Sequence, residues 1–553
     1  MLARFLLAST KRQSGSLQKP DYTPIRSPVT TATLSSDRHL AAAIGKNTLF
    51  GVISSAVQVG TRFVMVPVVI YHLGLDGYGI WAVVMAAAGY MRFGSAGLKS
   101  AFQKYVAEAT GTGDFLTANQ LLSTGSISML AISLIGLIPL GLYSRSLARA
   151  GGVPPQFLGA AAGSITVLAI IMVLANFGSV FEASVSGAHR IDLTRKFTVL
   201  TTTAEAVVII SLLHFGYGLF AMAATMAVSE LVYVACCFWA ARRIIPEIRI
   251  GARYFTLGVF RELIRYAGSY QLVNVLEVLY GMILPVIVLR HFGASTAGVY
   301  AVATRLVIAA LIGVDALILP LLSGGTVTFA SGSIERMNRF LRKSFKIAMA
   351  ASLLPLAFVA TFGTLLVQVW TGQVGPEFRM AVWLTCFSAL FASISRVQLV
   401  LYRASGNALH DNIRQAFRLG VLILLAELGS MIGFYGVLVG LVVAEFIGVV
   451  YMFFAMKSVL RFFAPKQLIP DTLRLATATG AMIAVGVAVA AVPIPWGTNG
   501  RVTGLIRLSE VVTACAIVAW PAVALTKSIS REEQRLVLRI VTPLGAPEVL
   551  PTE

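Results

Sequence analysis

Charged side chains are scarce in this chain: they make up 12% of its 553 residues, whereas 57% are hydrophobic. A soluble domain carries about 25% charged residues, so this composition excludes a water-soluble protein and indicates one that lies in a membrane. Acidic residues are scarcer than basic ones, with 24 Asp and Glu against 44 Lys and Arg. Such a basic balance suggests nucleic acid in a soluble protein, but here the pattern of the basic residues has another explanation.

Cysteine and catalytic signatures are also scarce. All four cysteines fall inside apolar stretches without metal-ligand spacing, and we interpret them as small core residues: Cys236, Cys237, Cys386 and Cys515. The sequence contains no Asp-x-Asp metal motif and no phosphate-binding P-loop. It therefore predicts no metal, no cofactor, no catalytic residue and no ATP hydrolysis.

Fourteen apolar stretches are long enough to cross a membrane as helices. They lie near 47–71, 77–98, 119–143, 157–181, 197–214, 216–240, 266–289, 295–320, 346–369, 379–402, 415–433, 435–456, 473–493 and 505–526. Basic residues concentrate in every second connection, for example at 190–196, 242–265, 336–346 and 403–414. Because basic loops remain in the cytoplasm, both termini and the long connections are predicted to be cytoplasmic. This explains the positive charge without nucleic acid.

The chain also contains an internal repeat. Residues 66–74 read VPVVIYHLG and residues 284–293 read LPVIVLRHFG, and nearly the same offset recurs at two later anchors. Each copy is followed by a glycine-aliphatic-aromatic triplet, at 79–81 and at 298–300. Two similar halves in a membrane are typical of pseudo-symmetric transporters. Both halves have the same orientation, so the repeat axis runs along the membrane normal.

The spans and the repeat predict an all-α integral membrane protein of about 14 transmembrane helices. The helices form two pseudo-symmetric six-helix bundles plus a C-terminal helix pair. The expected organisation is a disordered cytoplasmic tail at 1–45, an N-lobe at 46–240, a basic cytoplasmic linker at 241–265, a C-lobe at 266–457, and two further helices with a cytoplasmic tail at 458–553.

Charged residues at membrane depth are the candidate functional residues, because they are costly there unless they face a cavity or a partner. Four arginines qualify as substrate-binding candidates: Arg62, Arg92, Arg305 and Arg396. The candidates for cavity-lining or coupling roles are Gln58, Asn274, Glu277 and Asp315. The alternative for each is a structural ion pair or a side chain that reaches the interface. A guanidinium is the natural partner of phosphate, because its planar fork gives paired, charge-assisted hydrogen bonds.

The opening segment at 47–74, with Pro67 and its His-Leu-Gly end, is followed by Gly-Tyr-Gly-Ile-Trp at 77–81. This junction resembles the first two helices of the multidrug/oligosaccharidyl-lipid/polysaccharide exporter superfamily. Within it, the chain looks most like the polysaccharide biosynthesis branch of lipid-linked oligosaccharide flippases, including O-antigen translocases. The resemblance covers about 45–456 and includes the repeated junction at 292–300.

The resemblance implies a transporter in the bacterial inner membrane, not an enzyme. Its substrate would be an anionic polyprenyl-pyrophosphate-linked oligosaccharide, flipped from the cytoplasmic to the outer leaflet for O-antigen, capsule or exopolysaccharide synthesis. Arg62 and Arg305 would then meet the pyrophosphate, and Glu277 is the candidate for proton coupling. The implied partners are this substrate, membrane lipids and other polysaccharide assembly proteins, but no nucleic acid.

Acidic residues at membrane depth keep an alternative open, namely an ion-coupled exporter of small cationic amphiphiles from the multidrug branch. Among these acids, Glu230 and Glu445 occupy comparable places in the two halves, and pairing with interfacial basic groups is their structural explanation. Two hypotheses from other classes are a membrane glycosyltransferase, polymerase or ligase, and a non-transporting scaffold for glycan assembly. The short predicted outer loops leave no room for a catalytic domain, which disfavours the enzyme.

Overall fold

The computed structural model describes residues 33–89, 96–330, 333–404, 409–460, 468–492 and 500–526. Residues 47 onward form one unit, and residues 33–46, at the start of the first helix, belong to another. The helices in chain order are α1 Thr33–Gly89, α2 Ala96–Thr112, α3 Phe115–Leu142, α4 Ser144–Ala150, α5 Pro155–Gly187, α6 Ile191–His214, α7 Leu219–Ile244, α8 Leu257–Ala310, α9 Ile312–Ala330, α10 Ile334–Thr371, α11 Glu377–Ala404, α12 Leu409–Ser430, α13 Phe434–Leu460, α14 Ile469–Ala491 and α15 Arg501–Leu525. A 3₁₀ turn, Ala252–Tyr254, lies between α7 and α8.

The described ranges contain helices and connections but no strand. Helices suit a bilayer because each backbone N–H and C=O is satisfied within its own segment. Hydroxyl side chains inside these helices are satisfied in the same way, as when Ser126, Ser164 and Ser184 each donate to the carbonyl four residues earlier at 2.6–2.8 Å. The prediction of an all-helical membrane protein is therefore confirmed.

Two of the helices are bent at repeat-related glycines. Gly74 inside α1 has φ 70° and ψ 176°, and Gly293 inside α8 has φ 83° and ψ 179°. Residues with a side chain rarely adopt this positive-φ backbone, so glycine is needed at both kinks. Each helix thus consists of two limbs, one before and one after its glycine, and the sequence repeat becomes a repeat of structure.

Eleven helical stretches of the described residues are long and apolar enough to cross a membrane. Two of them, Ser54–Ala86 and Val275–Ala310, run through the kinks and each covers two predicted spans. The predicted span at 415–433 corresponds to α12, which carries four charged residues, Asp411, Arg414, Arg418 and Glu427. The number of fourteen spans, the position of the termini and the lobe boundaries remain predictions.

Packing follows the repeat. In the first half, residues 47–244, α5 packs on α3 and α7; in the second half, residues 257–460, α11 and α12 pack on α13. The largest apolar core runs through both halves, with Ile80, Val288 and Val302 almost fully buried in it. The two last helices pack against each other and against α10, where Phe362, Met482 and Val511 form a separate small core.

Candidate functional site

The two kinked helices, α1 and α8, meet where the halves join. Each forms a hairpin of two limbs around its kink glycine. A Cβ added to Gly79 would collide with the carbonyl oxygen of Ala294, and one added to Gly298 would collide with that of Leu75. These contacts are reciprocal, because Gly298 follows Gly79 at the same sequence offset as Ala294 follows Leu75. Only glycine permits such a close backbone approach. We call this contact the glycine junction; it joins the halves tightly at the end of the molecule that is predicted to be external.

Two further contacts hold the halves together. The ring of Phe63 in α1 stacks on Trp370 at the end of α10, with centroids 4.2 Å apart. The Trp370 Nε1–H also donates to the Phe63 carbonyl at 3.0 Å. Closer to the glycine junction, the turn after α4 approaches α8 so closely that an added Cβ at Gly152 would lie 2.8 Å from the Arg290 Cα. The halves are therefore in contact both near the glycine junction and beside Arg62.

Two of the predicted arginines lie at the same number of residues from the kink glycines. Arg62 precedes the kink at Gly74, and Arg305 follows the kink at Gly293 by the same number of residues. At 1.5 Å per residue, each Cα is about 18 Å from its kink along the helix, close to the middle of a hydrocarbon core of about 30 Å. Both side chains are exposed rather than packed in a core.

Arg305 connects the two halves. It lies on the second limb of α8, and its guanidinium donates a hydrogen bond to the hydroxyl of Tyr78 on the second limb of α1. Tyr78 itself is buried, with 5% of its surface exposed. A charged hydrogen bond between halves must break or rearrange whenever the two hairpins separate, so this contact is sensitive to their relative position.

Arg62 has a partner inside the first half. It interacts electrostatically with Glu205 of α6, and the hydroxyl of Ser229 in α7 lies beside that carboxyl group while it donates to the Thr201 carbonyl at 3.3 Å. One turn before Arg62, the side-chain amide of Gln58 donates to the buried Ser54 hydroxyl at 3.3 Å. The predicted polar stripe on α1 therefore lies against polar groups of neighbouring helices, and Glu205 joins the candidate residues.

Arg396 and Asp315 are ion-pair partners. The Arg396 Nη1 contacts the Asp315 Oδ1, so the pair joins α11 to the start of α9. Both side chains remain partly exposed. The sequence predicts separate roles for these two residues, as a substrate-binding arginine and a cavity-lining or coupling acid, with a structural ion pair as the alternative. The structure brings them together because α9 packs against α11.

A second ionic cluster lies deep in the second half, which we call the C-half cluster: Tyr280, Asp411, Arg414, Arg418 and Glu445. Arg418 donates from Nη1 to both Glu445 carboxylate oxygens, at 3.0 and 2.9 Å. The Tyr280 ring lies 3.7 Å from the Arg418 guanidinium carbon. Arg414 bonds Asp411 at 3.3 Å, and both residues are about 2% exposed.

The C-half cluster gives partners to two residues that the sequence marks only by their charge. Arg414 is expected in a basic connection, and a basic partner is the structural explanation expected for Glu445. The structure buries both residues, because α12 begins at Leu409 and carries Asp411, Arg414 and Arg418 on one helical face, and the basic partner of Glu445 is Arg418. Spacings of three and four residues put these side chains together, and this is the signal that sequence analysis missed. The cytoplasmic position of the connection remains a prediction.

The structure adds little to the predictions for three residues, Glu277, Asn274 and Arg92. The Glu277 side chain is exposed and contributes to the electrostatic environment of Arg418. The side chain of Asn274 and all of Arg92 lie outside the described residues. In the part of the chain that the structure describes, no group of three or more His, Cys, Asp or Glu side chains is arranged to hold a metal ion.

The arrangement suits recognition of an anion rather than covalent chemistry. Arg62 and Arg305 are exposed, one on each half, and their Cα atoms lie the same number of residues from the two kink glycines. Their forked donors match the geometry of phosphate oxygens. An anion that reached both guanidinium groups would contact both halves at once, and its charge would be compensated where water is scarce.

Solved structures with a similar fold are membrane transporters. The lipid II flippase MurJ in an inward closed conformation matches with a TM-score of 0.65 and 14% identity, over 86% of this chain and 99% of that one. An inward-facing multidrug resistance MATE family transporter of the MOP superfamily matches with a TM-score of 0.55 and 16% identity, over 76% of this chain and all of the other. A MOP superfamily transporter from Pyrococcus furiosus, whose binding pocket is described as having reverse polarity, gives 0.52 and 16%, over 76% and 95%.

These identities are low, so the matches show the fold. No curated sequence is similar enough to count as a relative. The profile of the family described as "Polysaccharide biosynthesis protein" matches residues 73–374, more than half of the chain. That range includes the glycine junction and Arg305. The chain therefore belongs to the polysaccharide biosynthesis protein family and has the fold of MOP superfamily transporters.

Proposed function

We propose that the protein flips an anionic polyprenyl-pyrophosphate-linked oligosaccharide from the cytoplasmic to the outer leaflet of the bacterial inner membrane. The observation that carries this proposal is the pair of exposed arginines, Arg62 and Arg305, one on each half and each the same number of residues from the kink glycine of its helix. Family membership and the flippase-like fold support it. The product would serve the synthesis of a surface polysaccharide, such as O-antigen, capsule or exopolysaccharide.

The mechanism follows from the two halves. In the structure the glycine junction joins them at the predicted outer end, so the substrate would enter from the cytoplasmic side. The pyrophosphate would sit between the arginines, while the polyprenyl tail stays in the lipid. Separation of the hairpins would open the outer side and break the bond between Arg305 and Tyr78. A bound anion can replace the lost partner of Arg305, which lowers the cost of this step.

The second candidate is an ion-coupled exporter of small cationic amphiphiles. Glu277 favours it, since an exposed carboxylate within a membrane helix could attract a cation. Against it, Glu205 already has Arg62 beside it, so the charge of that acid is compensated within the protein. In either case we propose transport rather than catalysis as the function.

Deletion of the gene tests the proposal. We expect loss of a surface polymer and accumulation of pyrophosphate-linked glycan on the cytoplasmic face, both reversed by the intact gene. A matched strain should carry Arg62→Ala and Arg305→Ala together. Unchanged polymer combined with new sensitivity to cationic dyes would instead assign the protein to the drug-exporting branch.

A further inference from the structure

The connection between the halves is fixed to the first half rather than hanging free. Asn119, Ser123 and Thr124, at the start of α3, make four hydrogen bonds of 2.9–3.2 Å to the backbone between residues 247 and 256. Ile245 and Ile248 of the same segment are buried in an apolar core between α2, α3 and α5. The backbone that carries the arginines of this connection is therefore held in a defined position.

This fixed backbone places three arginines around one cavity of about 560 Å³, which we call the linker cavity. Its lining residues are Arg242, Pro246, Arg249, Ile250, Gly251, Ala252 and Arg253. The lining contains no acidic residue. The guanidinium of Arg242 lies over the Phe238 ring at 5.4 Å, and that of Arg253 over Tyr254 at 4.7 Å. Such stacking orients the cations and leaves the edges of their planes, where the N–H donors lie, available to an anion.

An apolar cavity of about 240 Å³ adjoins the linker cavity. It is lined by Phe177, Phe181, Phe238, Ala241, Arg242, Ile248 and Ile250, of which Arg242 and Ile250 belong to both. The three phenylalanines pack edge to face in a row, with centroids 5.9 and 5.0 Å apart. The basic linker cavity thus continues directly into a cavity lined by aromatic side chains.

The depth of this pair of cavities matches the interface of a bilayer. Trp239, beside Phe238 on α7, is 55% exposed, and Arg243 stacks on its ring at 4.4 Å. Exposed tryptophan next to arginine at a helix end is typical of the headgroup level. Basic residues there attract anionic lipid.

We propose that the linker cavity binds the headgroup phosphate of an anionic phospholipid, with an acyl chain against Phe177, Phe181 and Phe238. Three guanidinium groups around a lining without acids favour an anion, and the adjoining aromatic row favours an anion that carries an apolar tail. A bound lipid would join the end of α7 to the linker. It would thereby anchor the first half to the leaflet on the side of the basic loops, which is predicted to be the cytoplasmic one, whatever the protein transports.

Native mass spectrometry of the full chain in detergent tests this site. The probes are dioleoyl phosphatidylglycerol, phosphatidylcholine with the same chains, and glycerol 3-phosphate. We expect retained phosphatidylglycerol, little phosphatidylcholine, and no competition by glycerol 3-phosphate. Arg249→Ala with Arg253→Ala should weaken phosphatidylglycerol binding about 30-fold, because each basic residue near an anionic headgroup contributes about one factor of five.

The matched control removes two exposed charges elsewhere on the same predicted face, with Arg336→Ala and Lys343→Ala, and should leave binding within about twofold. Arg249→Lys with Arg253→Lys should retain part of the affinity, because the positive charge remains but the planar fork of N–H donors is lost. Phe238→Ser should reduce the preference for the intact lipid. Equal losses in the control and test variants would overturn the proposal. So would displacement of phosphatidylglycerol by equimolar polyprenyl pyrophosphate, which would assign the site to the lipid-linked substrate.

Discussion

The two halves place polar side chains at the same helix crossing in different ways. In the first half, α1, α6 and α7 meet at Arg62, Glu205 and Ser229. In the second half, the corresponding helices α8, α12 and α13 meet at the C-half cluster, around Tyr280, Arg418 and Glu445. Alignment of the repeat on Pro67 and Pro285 puts Tyr280 at the position of Arg62. The cation at this crossing is therefore Arg62 of α1 in the first half. In the second half it is Arg418 of α12, the helix that corresponds to α6.

The difference in burial separates the two roles. The Arg418 and Glu445 side chains are 9% and 5% exposed, so each is the other's essential partner in a dry environment. Arg62 is exposed, and Glu205 is only half-buried. Loss of one member of a buried pair leaves an uncompensated charge in a dry environment, whereas an exposed arginine can exchange its partner for a ligand. We therefore expect the second crossing to be the more sensitive to loss of one partner, and the first to serve recognition.

The largest effect is expected from removing the charge of Glu445. Glu445→Gln leaves Arg418 buried without its counter-ion and should lower the free energy of unfolding by about 4 kcal/mol. Thermal unfolding of the detergent-solubilised protein measures this loss. Arg62→Met, in the first half, should cost about 1 kcal/mol or less, because that pair is exposed. Equal losses of unfolding free energy in Glu445→Gln and Arg62→Met would contradict the proposed difference between the two halves.

The next effect concerns recognition. Arg62→Ala and Arg305→Ala should each reduce flipping about 10- to 100-fold while protein levels stay normal, since a charge-assisted hydrogen bond contributes about 1.5–3 kcal/mol. Accumulation of the cytoplasmic lipid-linked intermediate in cells measures the defect. Lysine at either position should restore part of the activity. Full export by both alanine variants would remove these residues from the site.

A smaller effect tests the symmetry of the glycine junction. Gly79→Ala and Gly298→Ala should each disfavour the joined hairpins by a similar amount, about tenfold in population, because a methyl group meets a backbone carbonyl on the other half. Labelling of a cysteine introduced at Ala294 with an impermeant maleimide reports the opening. Gly60→Ala and Gly281→Ala have open space around the added Cβ and serve as controls. A strong effect at one glycine alone would show that the junction is not equivalent in its two halves.

The smallest effect is expected at Tyr78. Tyr78→Phe removes the acceptor of the Arg305 hydrogen bond and should change the rate of flipping about fivefold, in line with about 1 kcal/mol for one bond. Tyr71→Phe, at a position 80% exposed, is the matched control. A change in rate with unaltered substrate affinity would place Tyr78 in the movement of the halves rather than in binding.

Sequence patterns predicted the larger features of the fold. Scarce charge indicated the membrane class. The repeated segments that end at Gly74 and Gly293 marked junctions between two spans, and in the structure these junctions are kinks within α1 and α8. These features depend on local composition and on residues near in sequence. The closeness of Gly79 to Gly298 could not be predicted in the same way, because it depends on how the halves pack.

Predictions of the site were less complete for a physical reason. Charge at membrane depth marked Arg62, Arg305, Arg396 and Asp315 as unusual, but it did not say which partner each has. Arg396 and Asp315 contact each other in the structure. Arg418 lies inside the predicted span at 415–433 but was not singled out, because its partner Glu445 is on another helix, 27 residues later. Its spacing from Arg414 nevertheless indicates one buried face.

The reciprocal contacts of the glycine junction have the form of a two-fold dimer interface. Each hairpin presents its glycine to the backbone of the other, as a surface does when it meets its own copy in an isologous pair. A chain with one such hairpin would find a complementary surface on a second molecule of the same chain. The junction thus preserves, within one polypeptide, the geometry by which two identical half-length subunits could associate.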